Sequence, residues 1–287
     1  MTKEEKLVKK VKYLLRRLGC PRWLHHFGPK KYEFIEHLCA LLMRAFCRLS
    51  YRRVKQLFDL FGKRCPSKSA LQATAAKLNS GFWQRVLKIT SGKPYLIAID
   101  STCLARTNPS YHYLKRIDGK MPKVPIKVSI AFDTKKKRYC AAKIRVLPAH
   151  DVRDAIPLLK KIKPKILVAD KGYDSNNIHE YCKQNKIHAH IPLRNWQKTR
   201  HHNMSQRRMA AKHFNIRTYH RREIIESGNS SNKRKYGSSV NSRKIRTIRT
   251  EIYSRLTCHN LFLLTYLTLR TEPDFRVRLH SHENPVF

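Results

Sequence analysis

The sequence predicts a mixed α/β fold, a sheet flanked by helices, preceded by an all-α region. Two observations carry this. From Glu4 to about Ile89, apolar residues recur at steps of three and four, the helical period. After Pro94, short apolar runs of strand length appear and alternate with segments of helix length.

In the first region Val8, Val11, Leu14, Leu15 and Leu18 form one stripe. Phe34, Ile35, Leu38, Leu41, Leu42, Ala45 and Phe46 form a second, and Pro21 and Pro29 break the run between them. Ser50 to Gly62 reads as a capped helix ending at a glycine, and another helix starts near Pro66-Ser67 and runs through Leu71 to Leu78. Two short helices joined by a glycine-containing turn, with Arg52, Arg53, Lys55, Lys63, Arg64 and Lys68 around them, suit a helix-turn-helix DNA reader near residues 50–78. A plain helical bundle with a basic surface is the competing reading. Trp83 reads as core.

In the second region Tyr95 to Ile99 is an apolar run ending on Asp100, the profile of a central strand. A loop with Asn108-Pro109 and Asp118-Gly119 follows, then strands Lys127 to Asp133 and Arg138 to Val146, joined as a hairpin through Asp133-Thr-Lys-Lys-Lys137. The second of these places Cys140, Ala142, Ile144 and Val146 on one face. A helix Val152 to Ile162, a strand Ile166 to Ala169 ending on Asp170, a helix from about Ser175 to Gln184, a strand His188 to Pro192 and a helical C-terminal part complete the order. Strand, hairpin, helix, strand, helix, strand, helix is the ribonuclease-H-like order, a mixed sheet with helices on both faces.

Lys and Arg number 62 against 19 Asp and Glu, a formal charge of +43. A compact body with that much like charge repels itself unless a polyanion screens it, so nucleic acid is the expected partner. The clusters Lys9-Lys10, Lys135 to Arg138, Arg207-Arg208 and Lys233 to Lys235 are spread along the chain, which favours an extended DNA track over a detachable tail. A basic housekeeping protein such as a ribosomal component is the less favoured reading of the charge. Eight cysteines show no C-x-x-C spacing and read as reduced, mostly buried thiols. No apolar run follows the first residues, and Leu261 to Leu269 is too short to span a bilayer, so a cytoplasmic protein without membrane contact is expected.

Acidic residues are scarce, which makes Asp100 and Asp170 conspicuous at the ends of apolar strands, a poor place for an unpaired charge. Each alone suits a cap for the next turn. As a pair at the strand ends of an α/β sheet they suit a site for divalent cations, which take hard oxygen ligands. A third carboxylate is available at Glu223, Glu226 or Glu251. The spacing Tyr219-x2-Arg222-x3-Glu226-x6-Lys233 singles out Glu226, because steps of three, four and seven put the four side chains on one helix face. There a carboxylate holding metal would stand among cations that neutralise a phosphate. An amphipathic surface helix with incidental ion pairs is the alternative. The histidines at 25, 188, 190 and 201–202 lack cysteine or carboxylate partners in register and read as surface or phosphate-facing groups. Trp196, set among Arg194 and Lys198, could stack on a displaced base.

With Tyr-x2-Arg-x3-Glu-x6-Lys complete at 219–233, Asp-Lys-Gly-Tyr at 170–173 and Ile-Asp-Ser-Thr at 99–102, the chain resembles the DDE transposases of bacterial and archaeal insertion sequences, the superfamily of insertion-sequence families four and five. The resemblance runs from about residue 50 to 270. It implies a metal-binding catalytic triad of Asp100, Asp170 and Glu226, holding two magnesium ions with manganese as substitute. It implies DNA contacts by Tyr219, Arg222 and Lys233 near the cut, and no small-molecule cofactor. The implied partners are double-stranded DNA, as terminal inverted repeats and target, and a second copy of the chain in a synaptic homodimer. Only 55 residues separate Asp170 from Glu226, so the large β-rich insertion of some relatives is absent. The domains expected are 1–92, helical and DNA-binding; 93–270, the ribonuclease-H-like catalytic domain; and 271–287, a tail. A DNA-binding relative without catalysis, and a nuclease that joins no strands, are the competing functions. A covalent tyrosine recombinase using Tyr219 beside His220 to Arg222 is disfavoured by the carboxylate triad.

Overall fold

A computed structural model of the chain describes residues 3–25, 30–106, 116, 124–147, 149–194 and 205–264. Trp196, His201 and His202, the Asn108-Pro109 and Asp118-Gly119 turns and the expected tail 271–287 lie outside these residues. The helices are α1 (Lys3–Arg17), α2 (Phe34–Phe46), α3 (Tyr51–Leu60), α4 (Lys68–Lys77), α5 (Ser80–Ser91), α6 (Val152–Ile162), α7 (Asn176–Gln184), α8 (Ser205–Lys212), α9 (Ile216–Tyr219), α10 (Glu223–Tyr236) and α11 (Ile245–Leu263). The strands are β1 (Leu96–Leu104), β2 (Ile126–Asp133), β3 (Arg138–Arg145), β4 (Ile166–Ala169) and β5 (His188–His190). The chain forms two compact units, Met1–Thr90 with Lys235–Phe287, and Ser91–Arg234.

The first unit is helical. Ser50 Oγ accepts from Arg53 N at 3.2 Å to start α3, and Ser67 Oγ accepts from Ala70 N at 3.2 Å to start α4. Gly62 follows α3 at φ +60°, a left-handed position that favours glycine. The centre of the unit is α11, buried from Thr247 to Leu261 on almost every side and packed against α1, α2 and α4. Chain order had placed this segment with the sheet. A helix buried all round needs helical neighbours on several sides, and the N-terminal helices supply them. Trp83 is fully buried in this unit, stacked on Tyr253 with ring centroids 6.2 Å apart. The polar groups of α11 are met from within: Asn260 Nδ2 donates to Thr90 Oγ1 at 3.0 Å, and Glu251 lies between Arg44 at 3.1 Å and Arg255 at 2.6 Å.

The second unit is built on a five-stranded mixed sheet in the order β3-β2-β1-β4-β5. β1, β4 and β5 are mutually parallel, while β2 and β3 run antiparallel as the expected hairpin. Its turn is set by Asp133, whose Oδ1 accepts from Lys135 N at 2.9 Å and Lys136 N at 2.8 Å. The expected alternation on β3 is interrupted: the register shifts at Ala131/Phe132, and adjacent Cys140 and Ala141 both enter the core. On one face Ile97, Ile99, Ala131, Leu167 and Ala169 pack with Leu158, Leu159, Ile178 and Cys182 of α6 and α7. This is the ribonuclease-H-like mixed sheet with flanking helices.

All eight cysteines are free; Cys65, Cys140, Cys182 and Cys258 are buried, while Cys47 and Cys103 are exposed. No helix among the described residues is long and apolar enough to cross a membrane.

Candidate active site

Strand alternation sorts the residues of β1. Ile97 and Ile99 enter the core with α6 and α7, so Ala98 and Asp100 point to the opposite face, and Ser101 returns to the first. β1 runs further than expected, to Leu104, so Asp100 lies within the strand. Its special position comes from β4, whose parallel pairing with β1 stops at Ile99↔Ala169. One step on in that register lie Asp100 and Asp170, which brings the two aspartates to neighbouring positions where the strands part. Asp170 also caps the 3₁₀ turn Lys171–Tyr173, its Oδ1 accepting from Lys171 N at 2.8 Å.

The turn is pinned beneath the aspartates by hydroxyls. Tyr173 Oη and Ser101 Oγ are 3.0 Å apart, Ser101 Oγ and Ser129 Oγ 3.2 Å, and Ser129 Oγ donates to Asp154 Oδ2 at 2.8 Å. Asp154, in the first turn of α6, is fully buried and paired with Arg145 at 2.7 Å and Lys143 at 3.4 Å. Burial alone would push its carboxyl up, but hydrogen bonds from Arg145 and Ser129 hold it below its ordinary value. A second buried carboxylate, Asp174, accepts from Arg194 N at 2.8 Å and Arg207 Nε at 3.0 Å and contacts His179 Nε2 at 3.1 Å. It ties α8 to the segment after Asp170, and there too the partners outweigh burial and hold the carboxyl down.

The opposite face of the sheet carries α10. Up to Arg234 its buried residues are Ile225, Gly228, Asn229 and Asn232, at steps of three and four. Gly228 permits the approach: a Cβ there would lie 3.0 Å from Phe132 Cζ, and its carbonyl accepts from Tyr139 Oη at 2.9 Å. Helix continuity through Gly228 keeps Lys233, half-buried, on the same helix as Glu226. Tyr219 ends α9, and Arg222 lies in the 3₁₀ turn His220–Arg222. The guanidinium of Arg222 lies 5.9 Å from the centroid of the Tyr219 ring, and its Nη1 pairs with Glu226 Oε1 at 2.5 Å. Asn229, one turn after Glu226, donates from Nδ2 to Asp100 Oδ2 at 3.2 Å.

These contacts set the electrostatics of Asp100. Burial raises its carboxyl above the ordinary value, the Ser101 amide and Arg222 lower it, Glu226 raises it and Asn229 lowers it, with a net rise. Asp100, Arg222, Glu226 and Asn229 therefore form one interacting group, with Asp170 beside Asp100 in the register. The other two candidate glutamates are elsewhere: Glu223 is exposed and 3.5 Å from His220, and Glu251 is buried between arginines in the helical unit. Among the described residues no three His, Cys, Asp or Glu side chains are gathered tightly enough to hold a metal ion. Like charges resist approach, and Glu226 is turned to Arg222.

Arg52, Arg53 and Lys68 belong to the helical unit and line a cavity of about 650 Å³ together with Arg243 and Lys244. Sequence reasoning missed Arg243 and Lys244, which are distant in the chain and are brought there by the start of α11. It also missed Asn229 and the Ser101-Ser129-Asp154 chain. Asn229 had a usable signal, a polar residue one helical turn after Glu226; Asp154 had none, since burial of a first-turn aspartate depends on Arg145 from another strand.

A search of curated proteins found no match. Among solved structures, a piggyBac transposase synaptic complex with hairpin DNA is similar at 11% identity and a TM-score of 0.45, covering 90% of this chain and 71% of that one. Residues 91–261, which hold Asp100, Asp170, the 219–233 signature and most of α11, match the family described as "Transposase DDE domain", and the chain belongs to that family.

Proposed function

We propose that this chain cuts DNA at the ends of an insertion sequence and joins the freed 3′ hydroxyl to target DNA. The observation that supports this most is the clustering of Asp100 with Glu226, Arg222 and Asn229 where Asp170 is the next residue in register. In this reading Asp100, Asp170 and Glu226 hold two magnesium ions, for which manganese can substitute. The donor set fits: all are hard oxygens, and Asn229 Oδ1 is a further buried acceptor without a partner. Bound cations would supply charge neutralisation at the phosphate and activation of the attacking oxygen.

The chain's own groups do the rest. Arg222 stands beside two carboxylates, poised to exchange Glu226 for a phosphate oxygen as the backbone arrives. Tyr219 braces the guanidinium, and Lys233 adds positive charge further along α10. The Ser101 and Tyr173 hydroxyls lock β1 to the turn after Asp170, holding the two aspartates at a fixed separation. In the helical unit Arg52, Arg53 and Lys68 bind the DNA backbone as part of a helix-turn-helix-like pair, α3 and α4, and Trp196 contacts DNA in the catalytic region. The expected division into a helical DNA-binding region, a catalytic region and a tail is part of the same reading. So are a homodimer that pairs two transposon ends and action on chromosomal or plasmid DNA in the cytoplasm of a prokaryote.

The test is a strand-transfer assay with terminal-repeat duplexes, target DNA and magnesium. Wild type joins ends, and Asp100→Asn, Asp170→Asn and Glu226→Gln do not. Joining by Asp170→Asn at the wild-type rate refutes the triad, and DNA binding by wild type with neither cutting nor joining identifies a DNA-binding relative.

A further inference from the structure

We infer that Asn229 is a positioning residue for the reaction: its amide fixes the carboxylate of Asp100 and couples it to the helix that carries Glu226. The inference rests on the triad reading above and adds to it a group that neither the signature spacing nor the strand-end pattern contains.

The contact is Nδ2 of Asn229 to Oδ2 of Asp100 at 3.2 Å. An ionised carboxylate only accepts, so the amide must present its nitrogen, and Oδ1 is left over. That Oδ1 is buried and has no partner. An unmet buried acceptor costs free energy unless a further partner arrives.

The clamp is stiff. Asn229 is 7% exposed, on a helix seated by Ile225, by Gly228 against Phe132, and by the Tyr139 hydroxyl on the Gly228 carbonyl. Its side chain has two rotatable bonds, so the amide has little freedom once α10 is in place.

The chemistry of the partner matters as much as the geometry. Three other buried carboxylates, Asp154, Asp174 and Glu251, are each held by an arginine, while buried Asp133 is met at its turn by the backbone amides of Lys135 and Lys136. Asp100 is held by a neutral amide. An arginine spends the charge of a carboxylate, whereas an amide occupies one lone pair and leaves the full charge for a cation. Glu226 lies one turn earlier on α10, so a single rigid helix sets one carboxylate by its backbone and the other by a hydrogen bond.

The experiment titrates the full chain with Mn2+ alone, without DNA, by calorimetry, for wild type, Asn229→Leu, Asn229→Ala and Asp100→Asn, with thermal melts as the fold control. Groups that orient metal ligands typically change affinity by about 10–100-fold when removed. Asn229→Leu and Asn229→Ala are expected to weaken Mn2+ binding about 10-fold and to raise the Mg2+ concentration that half-saturates strand transfer in parallel. Wild-type Mn2+ affinity in either folded variant overturns the inference. If neither variant folds, the wild-type side-chain amide resonance of Asn229 decides: a response to Mg2+ that Asp100→Asn removes supports the clamp, and no response overturns it. Failure of the triad reading looks different, because Asp100→Asn then binds Mn2+ and joins ends like wild type.

Discussion

Glu251 in the helical unit and Asp100 in the sheet unit are both carboxylates drawn largely out of water, and their surroundings treat them in opposite ways. Glu251 accepts from Arg44, Arg255, the Ser242 hydroxyl and the backbone amides of Asn241 and Ser242. Burial pushes it up, but the two arginines and these hydrogen bonds hold its carboxyl below the ordinary value. Asp100 has the Ser101 amide, one asparagine and a more distant arginine, and burial wins. The first carboxylate has no acceptor capacity to spare and serves as a joint between α2, α11 and the segment before it. The second is less fully paired, which fits the cation-binding role proposed for it.

The largest expected effect breaks the first side of this comparison. Glu251→Gln leaves Arg44 and Arg255 buried without their counter-charge and should destabilise the fold by about 3–5 kcal/mol, read as a lowered denaturant midpoint. Asp100→Asn should act the other way round. It lowers strand transfer at least about 10²–10³-fold, yet leaves the melting temperature unchanged or slightly higher, because it removes a charge that burial disfavours. A large loss of stability in Asp100→Asn would show that Asp100 is a structural carboxylate like Glu251.

Protonation does gradually what Glu251→Gln does at once. Asp154, Asp174 and Glu251 have folded values held below the ordinary 3.8, 3.8 and 4.5. Their stabilising contribution is complete above those ordinary values and is lost as pH falls through the lower folded ones. Asp100 has the opposite sign, so its own contribution favours the folded state in acid and falls as pH rises through its raised folded value. Acid unfolding monitored by circular dichroism should therefore begin below the ordinary carboxylate range, and Glu251→Gln should flatten the acid limb.

Smaller effects probe how the sheet face is built. Gly228→Ala drives a methyl against Phe132 and should cost about 1–3 kcal/mol, with a loss of joining activity because α10 carries Glu226 and Asn229. The smallest change is expected at the basic cavity. Lys68→Gln should weaken binding of all DNA sequences alike and reduce the salt dependence of log Kd by about one unit. An unchanged slope would remove Lys68 from the DNA contacts.

The two units also differ in how far they could be read from the chain. The caps at Ser50 and Ser67, the break at Gly62, the hairpin at Asp133 and the bounds of α6 and β4 follow from local chemistry, which acts over a few residues and leaves its mark in their order. The neighbourhood of Asp100 and Asp170 was legible for the same reason, since each directly follows an apolar run, although β1 continues past Asp100 to Leu104. The place of α11 was not, because its burial on all sides is decided by helices more than 150 residues earlier in the chain, as in the 175-residue separation of Thr250 and Ala75. Nor was the burial of Glu251 between Arg44 and Arg255, although the spacing had already set Glu226 apart from Glu223 and Glu251.

By itself the sequence determined a charge that demands a polyanion, the order of strands and helices, and which acidic residues directly follow apolar runs. Those are properties of composition and of periods two and 3.6, and no folding is needed to state them. Only the tertiary structure decided which carboxylates have their charge met by arginine and which keep it, because ion pairing and burial depend on groups that meet across the fold. Asp100 and Asn229 are 129 residues apart in sequence and 3.2 Å apart in space.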